Sequence, residues 1–128
     1  MLRILVIYIL VMLGIHLGKP NTHSKQHMIT FDQSHHQQSV TLSLQDTFRI
    51  QLPVQMGTGF SWQWQEQENF QLVAQQVEKL GNQPGMAEQQ LFTVRPRQQG
   101  NSKISLYYQR PWEKKAIRTF ELTVDVSP

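Results

Sequence analysis

Ile104-Ser105-Leu106-Tyr107-Tyr108-Gln109-Arg110-Pro111-Trp112-Glu113 and, a few residues on, Phe120-Glu121-Leu122-Thr123-Val124-Asp125-Val126 decide the fold of this chain. In both runs apolar side chains take alternate positions, the period of a strand with one face in a core and the other in water. Ile104, Leu106 and Tyr108 then face inward, as do Phe120, Leu122, Val124 and Val126. The simplest pairing of the two runs is a hairpin closed by the segment between them. Pro111 lacks a backbone donor and fixes φ, so it ends the first strand and stiffens the loop that carries Arg110 and Trp112.

The same period recurs upstream. Val40, Leu42 and Leu44 alternate with polar residues, Gln45-Asp46 makes a turn, and Phe48, Ile50 and Leu52 resume the pattern. Pro53, Gly57 and Gly59 interrupt it before Phe60, Trp62 and Trp64 take it up on one face, where tryptophans anchor a β core. Phe70 to Val77 fits neither the helical nor the strand period cleanly and is read as a strand. Leu80-Gly81-Asn82-Gln83-Pro84-Gly85 is a loop by its turn chemistry, Phe92 and Val94 mark a strand before Pro96, and Gln98-Gln99-Gly100-Asn101 is a turn. Seven to eight short strands without a long helix predict an immunoglobulin-like antiparallel β-sandwich. In such a sandwich the loops at 55–59, 80–88 and 110–115 converge at one end.

The 128 residues hold one domain behind a leader. Met1 to Ile15 carries Arg3 and an apolar run from Ile4, then His16, Lys19 and Pro20, the pattern of an export signal. The run is shorter than the roughly twenty apolar residues of a membrane span, although an uncleaved anchor is the other reading of it. We expect a signal peptide over 1–24, a polar linker over 25–39 containing His27, His35 and His36, and the folded domain over 40–128, exported to the periplasm or secreted. The chain has no cysteine, which excludes disulfides, thiol catalysis and a lipid-modified cysteine. Its core must therefore suffice, as one of about a hundred residues does.

The formal charge is +3, but Arg3 and Lys19 belong to the leader, and after Ser24 ten basic residues face nine acidic ones. That balance offers no footprint for nucleic acid. The histidines lie outside the expected domain, in the leader and linker, with no helix to space them as ligands, so no metal or cofactor is implied. No serine sits in a nucleophile elbow, and nothing sets Glu66 and Glu68 across a cleft, so the chain is not read as an enzyme.

Arg110-Pro111-Trp112 with Gly57-Thr58-Gly59-Phe60 resembles the chagasin family, inhibitors of papain-like cysteine proteases that carry an Asn-Pro-Thr-Thr-Gly-Phe-type loop, a glycine-rich loop and an Arg-Pro-Trp loop. The resemblance spans Val40 to Val126. The Arg-Pro-Trp loop is intact. The first loop matches at Thr58, Gly59 and Phe60 and departs at Gln55, Met56 and Gly57; the middle loop, at Pro84-Gly85-Met86-Ala87-Glu88, keeps Gly85. The resemblance implies a monomeric, reversible, non-covalent inhibitor whose protease-binding residues are Gly57, Thr58, Gly59, Phe60, Gly85, Met86, Arg110, Pro111 and Trp112. Thr58 would sit in the central wedge with its hydroxyl offered near the protease thiolate, and Trp112 would anchor against the flank. Two other classes compete. One is an exported immunoglobulin-like adhesion or envelope-assembly module, the other a carbohydrate-binding domain using Trp112 and Tyr107.

Overall fold

The computed structural model describes residues 28–128. The expected signal peptide, with its cleavage site, and His23 and His27 lie outside the described residues. Eight strands run in the order β1 (Ile29–Phe31), β2 (Gln38–Ser43), β3 (Phe48–Val54), β4 (Ser61–Trp64), β5 (Phe70–Lys79), β6 (Glu88–Pro96), β7 (Gly100–Gln109) and β8 (Arg118–Ser127). They form two four-stranded sheets, β1-β3-β6-β5 and β2-β8-β7-β4. The pairings β3–β6, β5–β6, β4–β7 and β7–β8 are antiparallel, as expected, whereas β1–β3 and β2–β8 are parallel.

The alternating residues make the core. Phe48, Ile50, Leu52 and Val54 face Ile104, Leu106, Phe120, Leu122 and Val124 across the two sheets, all buried, with Trp62, Phe70 and Phe92 among them. Of the two buried polar side chains among the described residues, Ser61 and Gln90, the latter is the more deeply enclosed. Gln90 of β6 accepts a hydrogen bond from the Trp62 amide and donates one to the Trp62 carbonyl, each at 2.8 Å. Both ends of the buried amide are thus satisfied, and β6 of one sheet is tied to β4 of the other by bonds that an apolar side chain cannot make.

The expected linker is folded in its described part. β1 pairs with β3 from Ile29↔Phe48 to Phe31↔Ile50, and Phe31 is buried with its ring edge-on to Phe48 at 5.7 Å. Asp32 then caps a short 3-10 turn, Gln33–His35, by accepting from the Ser34 amide, while its own amide donates to His35 Nδ1. The Ser34 hydroxyl and amide hold the Asp32 carboxyl below its ordinary range. His36 Nδ1 accepts from the Glu121 amide at 3.1 Å, so the two histidines are caps and docking groups. A three-residue strand is too short to show a period, and capping residues share the composition of a solvated tail.

β5 explains its own irregular pattern. Its register against β6 shifts between Leu72 and Ala74, and the bulge at Val73 turns the alternation over halfway along the strand.

Candidate functional site

Strand register sets three loops at one end of the sandwich. β3 ends at Val54 opposite Glu88, the first residue of β6, and Glu88 is also opposite Lys79, the last residue of β5. In the other sheet Ser61, the first residue of β4, pairs with Gln109 at the end of β7, and Tyr108 pairs with Arg118 at the start of β8. The loops 55–60, 80–87 and 110–117 therefore leave together. The Gln55 amide donates to the Tyr108 hydroxyl at 3.3 Å, which joins the two sheets beneath the rim.

The first loop is a turn held by its own atoms. Met56–Thr58 is a 3-10 turn in which the Thr58 and Gly59 amides donate to the carbonyls of Gln55 and Met56 at 3.1 and 3.0 Å. The Thr58 hydroxyl donates to the Gln55 carbonyl at 2.6 Å and accepts from the Phe60 amide at 3.3 Å. Its proton is spent inside the loop, so the hydroxyl staples the turn.

Arg110 joins this loop to the third. Its Nε donates to the Thr58 carbonyl at 3.2 Å, its guanidinium lies 4.4 Å from the centre of the Phe60 ring, and its Nη1 pairs with Glu113 Oε1 at 3.3 Å. The planar fork serves all three partners at once, which a lysine cannot do. The Glu113 amide donates to the Arg110 carbonyl at 3.0 Å, turning the chain so that Trp112 projects outward with 73% of its surface exposed. The edge of the indole rests over Gly59, where a Cβ would lie 2.9 Å from Trp112 Cη2 and φ is +82°. Only glycine meets both conditions. Gly57 differs, since a Cβ there would meet nothing within 4 Å. Space is left beside the Gly57 backbone for an outside group to approach.

The middle loop closes on itself. The Leu80 amide donates to the Ala87 carbonyl at 2.9 Å, the Met86 amide to Gln83 at 3.2 Å, and Gly85 takes φ +82°. Met86 lies on Gly81, where a Cβ would clash with its terminal methyl.

Among the described residues nine large apolar side chains are exposed, and five of them, Met56, Leu80, Met86, Trp112 and Ile117, lie in these three loops. An apolar rim on an otherwise polar sandwich is the composition of a protein-contact surface. Sequence reading named Trp112, Met86 and the glycines as contacts, placed Met56 and Leu80 in the converging loops without naming them as contacts, and missed Ile117 and, as the support beneath, Tyr108. The methionine next to Gly57, apolar in a turn with no strand period to bury it, was the available signal.

Arg110→Met keeps an apolar stem against Phe60 and removes the donors to Thr58 and Glu113. It is expected to weaken the rim's binding about tenfold, the loss of one charge-assisted bond and of loop order. Amide exchange at 56–60 should quicken while the global melting temperature holds; unchanged exchange would mean that Arg110 does not hold the first loop.

A model of the chagasin family peptidase inhibitor I42 matches residues 41–124. No curated protein matches the chain. Among solved structures the chain is similar to the cysteine protease inhibitor EhICP2 from Entamoeba histolytica, with a TM-score of 0.70 and 23% identity over 78% of this chain and 96% of that one. It is also similar to Amebosin, with a TM-score of 0.63 and 27% identity over 79% and 99%. A third likeness is to PbICP-C, solved in complex with falcipain-2, with a TM-score of 0.54 and 16% identity over 80% and 92%.

Proposed function

The chain belongs to the chagasin family of peptidase inhibitors, and from that premise we propose that it is an exported, reversible, non-covalent inhibitor of papain-like cysteine proteases. The leader over 1–24 supports export, and EhICP2, itself a cysteine protease inhibitor, supports the protease class. Gly57, Thr58, Gly59 and Phe60 form the wedge that enters the cleft, Gly85 and Met86 touch one flank, and Trp112 seats on the other. Arg110 and Pro111 hold the wedge and the tryptophan in fixed relation.

The observation that carries this reading is the Arg110 clasp beneath an exposed Trp112. A rim tied across two loops before binding loses little conformational entropy on docking, so a modest area can bind tightly. The same bonds explain survival in a proteolytic cleft. The carbonyls of Gln55, Met56 and Thr58 all accept hydrogen bonds from within the rim, which keeps them out of the extended geometry in which a thiolate attacks a substrate carbonyl. Thr58 contributes shape to the wedge, and the backbone beside Gly57 contributes close approach.

Titration of papain or a cathepsin L-type protease with the protein should remove activity in proportion to the inhibitor added and leave the inhibitor chain intact on a gel. Full protease activity at micromolar inhibitor would overturn the reading.

A further inference from the structure

Resting on that reading, we infer that the third loop is a cationic pole that selects, among papain-like proteases, those bearing an acidic patch beside the cleft where Trp112 docks. The charge of the rim is confined to one loop. Residues 55–60 and 80–87 contain no Asp, Glu, Lys or Arg, whereas 110–117 holds Arg110, Lys114 and Lys115 against a single carboxylate, Glu113. The rest of the sequence from Lys25 onward has the opposite sign, with seven cations and eight carboxylates. The tip of the β7–β8 hairpin is therefore the cationic part of a domain that is otherwise close to neutral.

The ion pairing sharpens this asymmetry. Glu113 is taken by Arg110 within the clasp. Among the described residues Lys114 and Lys115 have no carboxylate at ion-pair distance, and both are exposed. Arg118, the first residue of β8, instead lies with its guanidinium 5.9 Å from the Trp62 ring and shares a hollow with Glu88. Two uncompensated cations thus follow the most exposed aromatic of the rim by two and three residues in the same loop, a separation comparable with a Debye length, roughly 8 Å at physiological salt. Charges so placed act on diffusional encounter and on the choice between partners more than on the lifetime of the complex. An acidic flank accelerates docking in the orientation that seats Trp112, and a basic flank opposes it.

The test measures association and dissociation rate constants of the full protein with an acidic cathepsin L and with basic papain, at low and high sodium chloride. Lys114→Glu/Lys115→Glu is expected to slow association with cathepsin L about tenfold at low salt. Dissociation should stay within about twofold, and the deficit should shrink as salt rises. With papain the same double change should leave association unchanged or faster. Arg95→Glu/Arg97→Glu makes an equal change of net charge at exposed positions on the far end of β6 and should leave both proteases nearly unaffected. Equal slowing by the two double variants would assign the effect to net charge, and no slowing by either would remove electrostatic selection; each overturns the inference while inhibition itself stands. Loss of inhibition by the unsubstituted protein would instead remove the functional reading on which the inference rests.

Discussion

Trp112→Ala is expected to weaken inhibition of a papain-like protease by about 2 kcal/mol or more, roughly thirtyfold in the inhibition constant, with the thermal transition of the free protein unmoved. The magnitude follows from exposure. The indole is 73% exposed in the free protein, so most of its area leaves water only when a partner covers it. About 150 Å2 of aromatic surface at about 25 cal/mol per Å2 has an upper value near 4 kcal/mol, from which ordering of the loop subtracts. Stability should be indifferent for the same reason, since the ring lies over Gly59 and outside the core, and exposed substitutions usually fall within about 0.5 kcal/mol. Inhibition constants from steady-state titration, paired with melting curves, read both quantities. A matching fall in melting temperature would make Trp112 a structural residue of the rim; undiminished inhibition would place the anchor elsewhere, with Met56, Met86 or Ile117 the next apolar candidates.

Why this residue stood out in the sequence while others did not is a matter of physical range. Strands β7 and β8 were legible because water on one face and core on the other impose a period of two over ten residues each. The bulge at Val73 breaks that period inside β5, and β1 is too short to display it, so one strand read as irregular and the other as part of a linker. Parallel pairing of β1 with β3 and of β2 with β8 leaves no local mark, because the partners are chosen by the layout of both sheets. The rim shows the same limit. Trp112 and Pro111 announce themselves by residue type and loop position, but the partner of the Arg110 Nε is a backbone carbonyl 52 residues away. Thr58 stood out because its letter matches a motif, whereas the turn geometry that absorbs its proton depends on the carbonyl of Gln55. Gln90 is the converse case, a polar letter at an inward position, and its only local signal is that Phe92 and Val94 continue the same face.

Trp62→Ala should give the opposite pattern to Trp112→Ala, with a loss of about 3–5 kcal/mol in stability and little loss of affinity per folded molecule. Trp62 is 1% exposed and among the largest fully buried side chains. Its Nε1 donates to the Pro53 carbonyl at 2.9 Å, its ring lies 5.0 Å from that of Tyr108, and its own amide and carbonyl are the two groups held by Gln90. Truncation opens a cavity between the sheets at the point where they are cross-linked, and the well-packed strands around it can close only part of the gap. For a domain of about a hundred residues such a loss should lower the melting temperature by about 15 °C or more. Trp62→Phe retains most of the volume and forfeits the bond to Pro53, so it should lose only about 1–2 kcal/mol. Below the transition the Trp62→Ala protein should still inhibit within a few-fold of the parent, because Tyr108 supports the first loop through its hydroxyl and not through the indole. If the alanine variant melted with the parent, Gln90 and Tyr108 alone would suffice to hold β4 against β6. If it melted early and also lost inhibition when fully folded, the rim would take its shape from the core beneath it and not from the Arg110 clasp.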